Sequence, residues 1–362
     1  MKTSLSQAAV WRGAALLVTL ASSSAAQAHV KWFCGVFDPT VPPVPLREVL
    51  SATFLRAAPL FMLLVAAGAY LDGMLARTAF GSAAKFRGRD AIGEVILRVG
   101  LSTYAFCLWA NLAVVMWADS SEGSILTPEL LRRGPVLAGV QLGLGVMVLI
   151  PRASILAGAA LALLYGAGVV RYGAFYMIDY LFFLGAAAYL AMSDPRLRRF
   201  PRVAVWRLAL LAASISVSLM WTAVEKFLFP QWTMTILIHH SGITAGFAIP
   251  TVTTIAGFIE FSLAFYVLVG RDILIRVSIA ALMALFTLAM PEFGMVDVVG
   301  HIPLIAIFLV LILHGETPLQ RQFRRGHSSI LASGGRVAML YAVTLVGMIA
   351  IYDGLHAISV AA

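Results

Sequence analysis

The chain has 362 residues, of which 61% are hydrophobic and 12% charged, and its net charge is +9. With a mean hydropathy of +0.92, that composition excludes an ordinary soluble domain and places the chain among polytopic all-α membrane proteins. The 26 Lys and Arg residues cluster in short loops between apolar runs, where they orient spans, so the basic balance is not read as a nucleic-acid surface. The two cysteines, Cys34 and Cys107, form no CxxC pair. No Walker motif, nucleotide fingerprint or covalent-haem CxxCH is visible, which argues against ATP-driven transport and c-type haem.

The first 28 residues read as a signal peptide: Lys2 and Arg12 precede apolar Gly13–Ala21, and Ala26-Gln27-Ala28 offers a cleavage site. Cleavage there would leave His29 as the mature N-terminus, on the periplasmic side of a bacterial-type inner membrane. Residues 29–50 then form an extracytoplasmic segment held extended by Pro39, Pro42, Pro43 and Pro45. About ten spanning helices are expected, at 51–75, 94–117, 134–150, 153–171, 174–192, 203–225, 249–270, 273–290, 295–314 and 336–357. The first helix and a basic loop occupy 51–93, and a second basic loop and the last helix occupy 316–362. With the N-terminus outside, each inner loop is basic, from Arg77/Lys85/Arg87/Arg89 to Arg321/Arg324/Arg325/Arg336. Pro230–Pro250 reads as a wet outer loop carrying His239 and His240, while His314 and His327 fall on the inner side, apart from the expected site.

The eight middle segments read as two tandem four-helix repeats, 94–202 and 203–315, flanked by single helices. Val148–Arg152 matches Val267–Arg271 at an offset of 119 (271 − 152). Met177-Ile178-Asp179 matches Met295-Val296-Asp297 at 118 (297 − 179), and Arg98 and Arg207 each open a run reaching a tryptophan, Trp109 and Trp221. The second repeat alone carries Glu225, Glu260 and His301, where the first has Ala113, Gln141 and Phe183. If those groups only held helices together, both repeats should need them, so the site is expected in the second.

Asp297 and His301 lie four residues apart in the apolar stretch Met295–His314, hence on one helical face. An ionised Asp at the centre of a spanning helix costs about 2.5–3.5 kcal/mol even on lenient insertion scales, so a functional site is the default reading. Asp297, His301, Glu260 and Glu225 are the candidate catalytic residues, with an Asp-oriented imidazole exchanging its proton with a nearby carboxylate.

Glu225-Lys226-Phe227-Leu228-Phe229-Pro230, Ala256-Gly257-Phe258-Ile259-Glu260 running into Leu268-Val269-Gly270-Arg271, Gly294-Met295-Val296-Asp297, and Gly300-His301 together resemble the DoxX/DoxD family of four-helix membrane proteins. The resemblance covers about 203–315, with a degenerate copy in 94–192. It implies association with membrane redox systems such as thiosulfate:quinone oxidoreductase, and so a quinone-linked redox subunit with a periplasmic or membrane redox partner. A second reading is copper or other metal-ion handling, with His29 offering its amino group and imidazole and His239 and His240 completing the site. A third is a non-catalytic assembly partner in the bilayer, packed through Gly139-xxx-Gly143.

Overall fold

The computed structural model describes residues 41–76, 88–115, 135–239, 244, 246–293, 295–323 and 330–361. The expected signal peptide, His29, Cys34, His240 and His327 lie outside them. The described residues form helices and turns and no strand. In chain order the main helices are α1 (Ala52–Leu75), α2 (Arg89–Val115), α3 (Pro135–Met147), α4 (Ser154–Tyr172), α5 (Phe182–Met192), α6 (Pro201–Leu228), α7 (Pro230–His239), α8 (Ile249–Val269), α9 (Asp272–Phe293), α10 (Met295–His314), α11 (Pro318–Phe323) and α12 (Ile330–Ala361).

Each of the ten expected segments is mostly helical over its described residues, but fewer are long and apolar enough to cross a bilayer. Among the described residues seven helices meet that test, or up to eight if the bent pair Ala174–Tyr180 and Phe182–Met192 is one span. α3 has 13 described residues and ends in a turn ahead of Pro151. The expected 174–192 span is bent by 63°. Its cause is a side chain inserted into the helical ladder. The Ser218 hydroxyl of α6 accepts from Phe182 N (3.1 Å) and donates to Ile178 O (3.4 Å), separating two groups that a straight helix would join.

The expected outer loop Pro230–Pro250 also needs correction. It opens with the ten-residue helix α7, which buries Trp232, Thr233, Ile236 and Leu237. A proline is suited to a helix's first turn, where its missing N–H has no intrahelical partner to lose.

Helix contacts run in a closed ring: α2, α3, α4, α5, α6, α8, α9, α10 and back to α2. α10 packs more extensively on α2 than on its sequence neighbour α9, and α5 packs extensively on α6. The fourth helix of 94–202 thus lies on the first helix of 203–315, and the fourth helix of 203–315 lies on the first of 94–202. Close approach of α2 and α10 depends on Gly100, where an added Cβ would collide with Ala306.

α1 and α12 pair with each other and lie against α6 and α8. Polar contacts fasten them: Tyr266 donates to Val65 O (2.9 Å), Ser262 and Tyr341 share a hydrogen bond (2.9 Å), and Asp72 accepts from Arg271 N (2.8 Å) and Leu274 N (3.2 Å) at the start of α9. Interhelical bonds of this kind average only about 0.6 kcal/mol in a bilayer. Most of the adhesion therefore comes from close packing of residues such as Phe258, Phe261, Phe265 and Tyr341, each fully buried.

Candidate functional site

Glu225, Glu260, Asp297 and His301 all lie on helices of the second half, and their contacts sort them into three pairs. On α10, His301 Nδ1 donates to the backbone carbonyl of Asp297 (2.8 Å) and lies 3.2 Å from its carboxylate Oδ1. The spacing of four thus brings the two side chains together, as the helical period requires. Asp297 is 2% exposed, and among the described residues its second oxygen, Oδ2, has no hydrogen-bond partner. The imidazole rests on Phe286 of α9, with ring centroids 5.1 Å apart.

Glu225 and Lys226 are adjacent in sequence but turn to different neighbours. Lys226 Nζ reaches Glu260 Oε2 on α8 at 2.6 Å, a part-buried ion pair. Glu225 accepts a hydrogen bond from the Tyr352 hydroxyl of α12 at 2.8 Å. An aromatic wall surrounds that bond: Trp221 lies 4.5 Å from the Tyr352 ring and Phe175 lies 4.9 Å from it. His356 fits between Phe175 (5.5 Å) and Phe229 (5.2 Å), and Phe229 stacks on Trp232 of α7 at 4.2 Å. Asp179, from the turn before α5, lies within electrostatic range of Tyr352 and Tyr180, as does Glu225. This second acidic group therefore draws on both halves and on the last helix.

The described residues offer little for a metal. No group of three His, Cys, Asp or Glu side chains among them could hold an ion. His239 ends α7, exposed, with Nδ1 on the Thr235 carbonyl at 2.8 Å.

The opposite end of the ring holds a cluster that the sequence reading passed over. Arg98 Nε donates to Glu94 (3.0 Å), and its terminal nitrogens donate to Val148 O (2.5 Å) and Ser154 Oγ (2.5 Å). Arg198 also pairs with Glu94. Arg207 lies 3.5 Å from Asp90 and 4.0 Å from Glu94, over the Tyr189 ring at 5.2 Å. His314 Nε2 meets Asp90 Oδ1 at 2.7 Å. A signal for part of this was present: Glu94 and Arg98 stand four apart in an apolar helix, the same spacing that singled out Asp297 and His301. No family model, curated protein or solved structure matches the chain.

Proposed function

We propose that this integral membrane protein exchanges protons at the Asp297–His301 pair in support of a quinone-linked redox reaction, with Glu225 and Glu260 as flanking carboxylates. By the loop charges this end of the ring faces outward. One observation carries the reading: Asp297 is 2% exposed in an apolar layer, beside an imidazole, with one carboxylate oxygen that no described residue hydrogen-bonds. A carboxylate kept only for packing should have its acceptors filled, because a buried unfilled one is costly. An open acceptor next to a ring that can carry a proton is suited to taking and returning one.

The resemblance to the DoxX/DoxD family supplies the chemical class of the redox partner. A quinone head group has two carbonyl oxygens that accept hydrogen bonds in the oxidised form, take up protons on reduction to the quinol and release them on reoxidation, and an imidazole beside an aromatic ring suits these tasks.

The test is quinone extraction from protein purified with its native lipid. The wild type should retain quinone stoichiometrically. His301→Gln should retain about tenfold less, the equivalent of one lost hydrogen bond of about 1.4 kcal/mol. Wild-type protein without quinone, or equal retention by His301→Gln and Asp297→Asn, would overturn the reading.

A further inference from the structure

We propose that Asp90 and His314 form a second proton-exchange site, at the other end of α10 and open to the inner aqueous phase. The inference rests on the proton-exchange reading above and extends it to the opposite face. His314 lies 13 residues beyond His301, about 20 Å along the helix axis. α10 therefore carries an Asp–His contact near each of its ends.

The hydrogen bonds count the protons. His314 Nδ1 meets the Val310 carbonyl at 2.8 Å, and Nε2 meets Asp90 Oδ1 at 2.7 Å. A carbonyl only accepts, so Nδ1 carries hydrogen. A neutral imidazole has one N–H, so the contact with the Asp90 carboxylate requires a second proton, held on Nε2. The pair thus contains one proton more than a neutral histidine beside a carboxylate.

Exposure supplies its route. The His314 side chain is 3% exposed and that of Asp90 67%, so solvent reaches the acid and the acid reaches the ring. Gly93, one turn along α2, makes room for the imidazole: an added Cβ would lie 2.7 Å from His314 Cε1. Neighbouring charges separate the exchanging acid from the structural one. Glu94 is taken by Arg98 and Arg198, and Arg207 of α6 lies 4.0 Å from it. Among the described residues Asp90 meets His314, with Arg207 at 3.5 Å and Arg89, Arg198 and Tyr189 within electrostatic range. From α9, Arg276 donates to the Ile312 carbonyl, so it is engaged with backbone at the same end of α10.

A histidine in the last turn of a helix also complements the helix dipole, and that role alone would need no exchange with solvent. The experiment separates the two. Full-length protein labelled with ¹⁵N-histidine, in membrane vesicles of known sidedness, gives the ring state of His314, with His314→Gln assigning the signal. The ring–carboxyl pair should change protonation with the pH of the inner-face compartment alone. Asp90→Asn should convert the ring to a neutral form with hydrogen on Nδ1, and Asp90→Glu should restore the wild-type signal. A ring signal blind to inner-face pH, following outer-face pH, or unaltered by Asp90→Asn would overturn the proposal. Because Asp90 is exposed, Asp90→Asn keeps the test open if His314→Gln fails to fold. His301→Gln should leave the His314 signal intact, so a failure at the quinone-linked end is recognised separately.

Discussion

α2 and α6 stand four places apart in the ring of helix contacts, and each carries a buried arginine. Arg98 of α2 is tied at 2.5–3.0 Å to Glu94, Val148 O and Ser154 Oγ, so it fastens its own helix to the α3–α4 turn. Among the described residues Arg207 of α6 makes longer contacts: 3.4 Å to Ser193, 3.5 Å to Asp90 and 4.0 Å to Glu94. In the second half the matching turn is held by Gln320 of α11, which donates to Val267 O at 2.8 Å. The far ends differ as well: α2 has Ala113, while α6 has Glu225 and Lys226, bonded to α12 and α8. Where an element outside the four-helix unit takes over a structural bond, the arginine that could have made it turns to the seam between the halves. The polar groups of α6 likewise exceed what packing demanded of α2.

The largest expected effects test that contrast. Arg98→Leu removes the partner of several buried polar groups and should destabilise by about 3–5 kcal/mol, whereas Arg207→Leu should cost about 1 kcal/mol. Unfolding in lipid or detergent micelles measures both, and equal losses would break the contrast between the helices. Lys226→Met leaves Glu260 as a part-buried unpaired charge and should cost about 2–3 kcal/mol, most of it recovered in Lys226→Met/Glu260→Leu. No recovery would mean that the two residues do not act as a pair.

Smaller effects sharpen the picture. Tyr352→Phe removes one hydrogen bond to a carboxylate and should cost about 1.5–3 kcal/mol, read as a lower unfolding midpoint. In the loop after α5, the Arg196 hydrogen bond holds the Asp194 carboxyl at about 2, below its ordinary 3.8. A carboxyl lowered on folding stabilises fully above its ordinary value and loses that contribution as pH falls through the folded one. The unfolding midpoint should therefore decline in that acid window, and Asp194→Asn should flatten the decline. An unchanged slope in the variant would remove Asp194 as its source.

Much of the fold was legible because apolar runs of bilayer length have few other uses, and the helices follow those runs closely. The kink before α5 was not, since it depends on the Ser218 hydroxyl of another helix. α7 was misread because Pro230 looked like loop punctuation, although proline also opens helices. Within the candidate site, Asp297–His301 was legible because four residues is a local distance. Lys226–Glu260 spans 34 residues and Glu225–Tyr352 spans 127, so neither follows from helical spacing. The Glu94–Arg98 pair had the right spacing, but Arg98 was read only as the opening of a run matched at Arg207.

The central claim, proton exchange at Asp297–His301 coupled to a quinone, is tested most directly by infrared difference spectra of the lipid-embedded protein, oxidised quinone against reduced quinol. The account predicts a carboxyl band that disappears in Asp297→Asn and an imidazole band that disappears in His301→Gln, each changing with the quinone's redox state. Spectra in which quinone and quinol interconvert on the protein while neither residue changes protonation would contradict it.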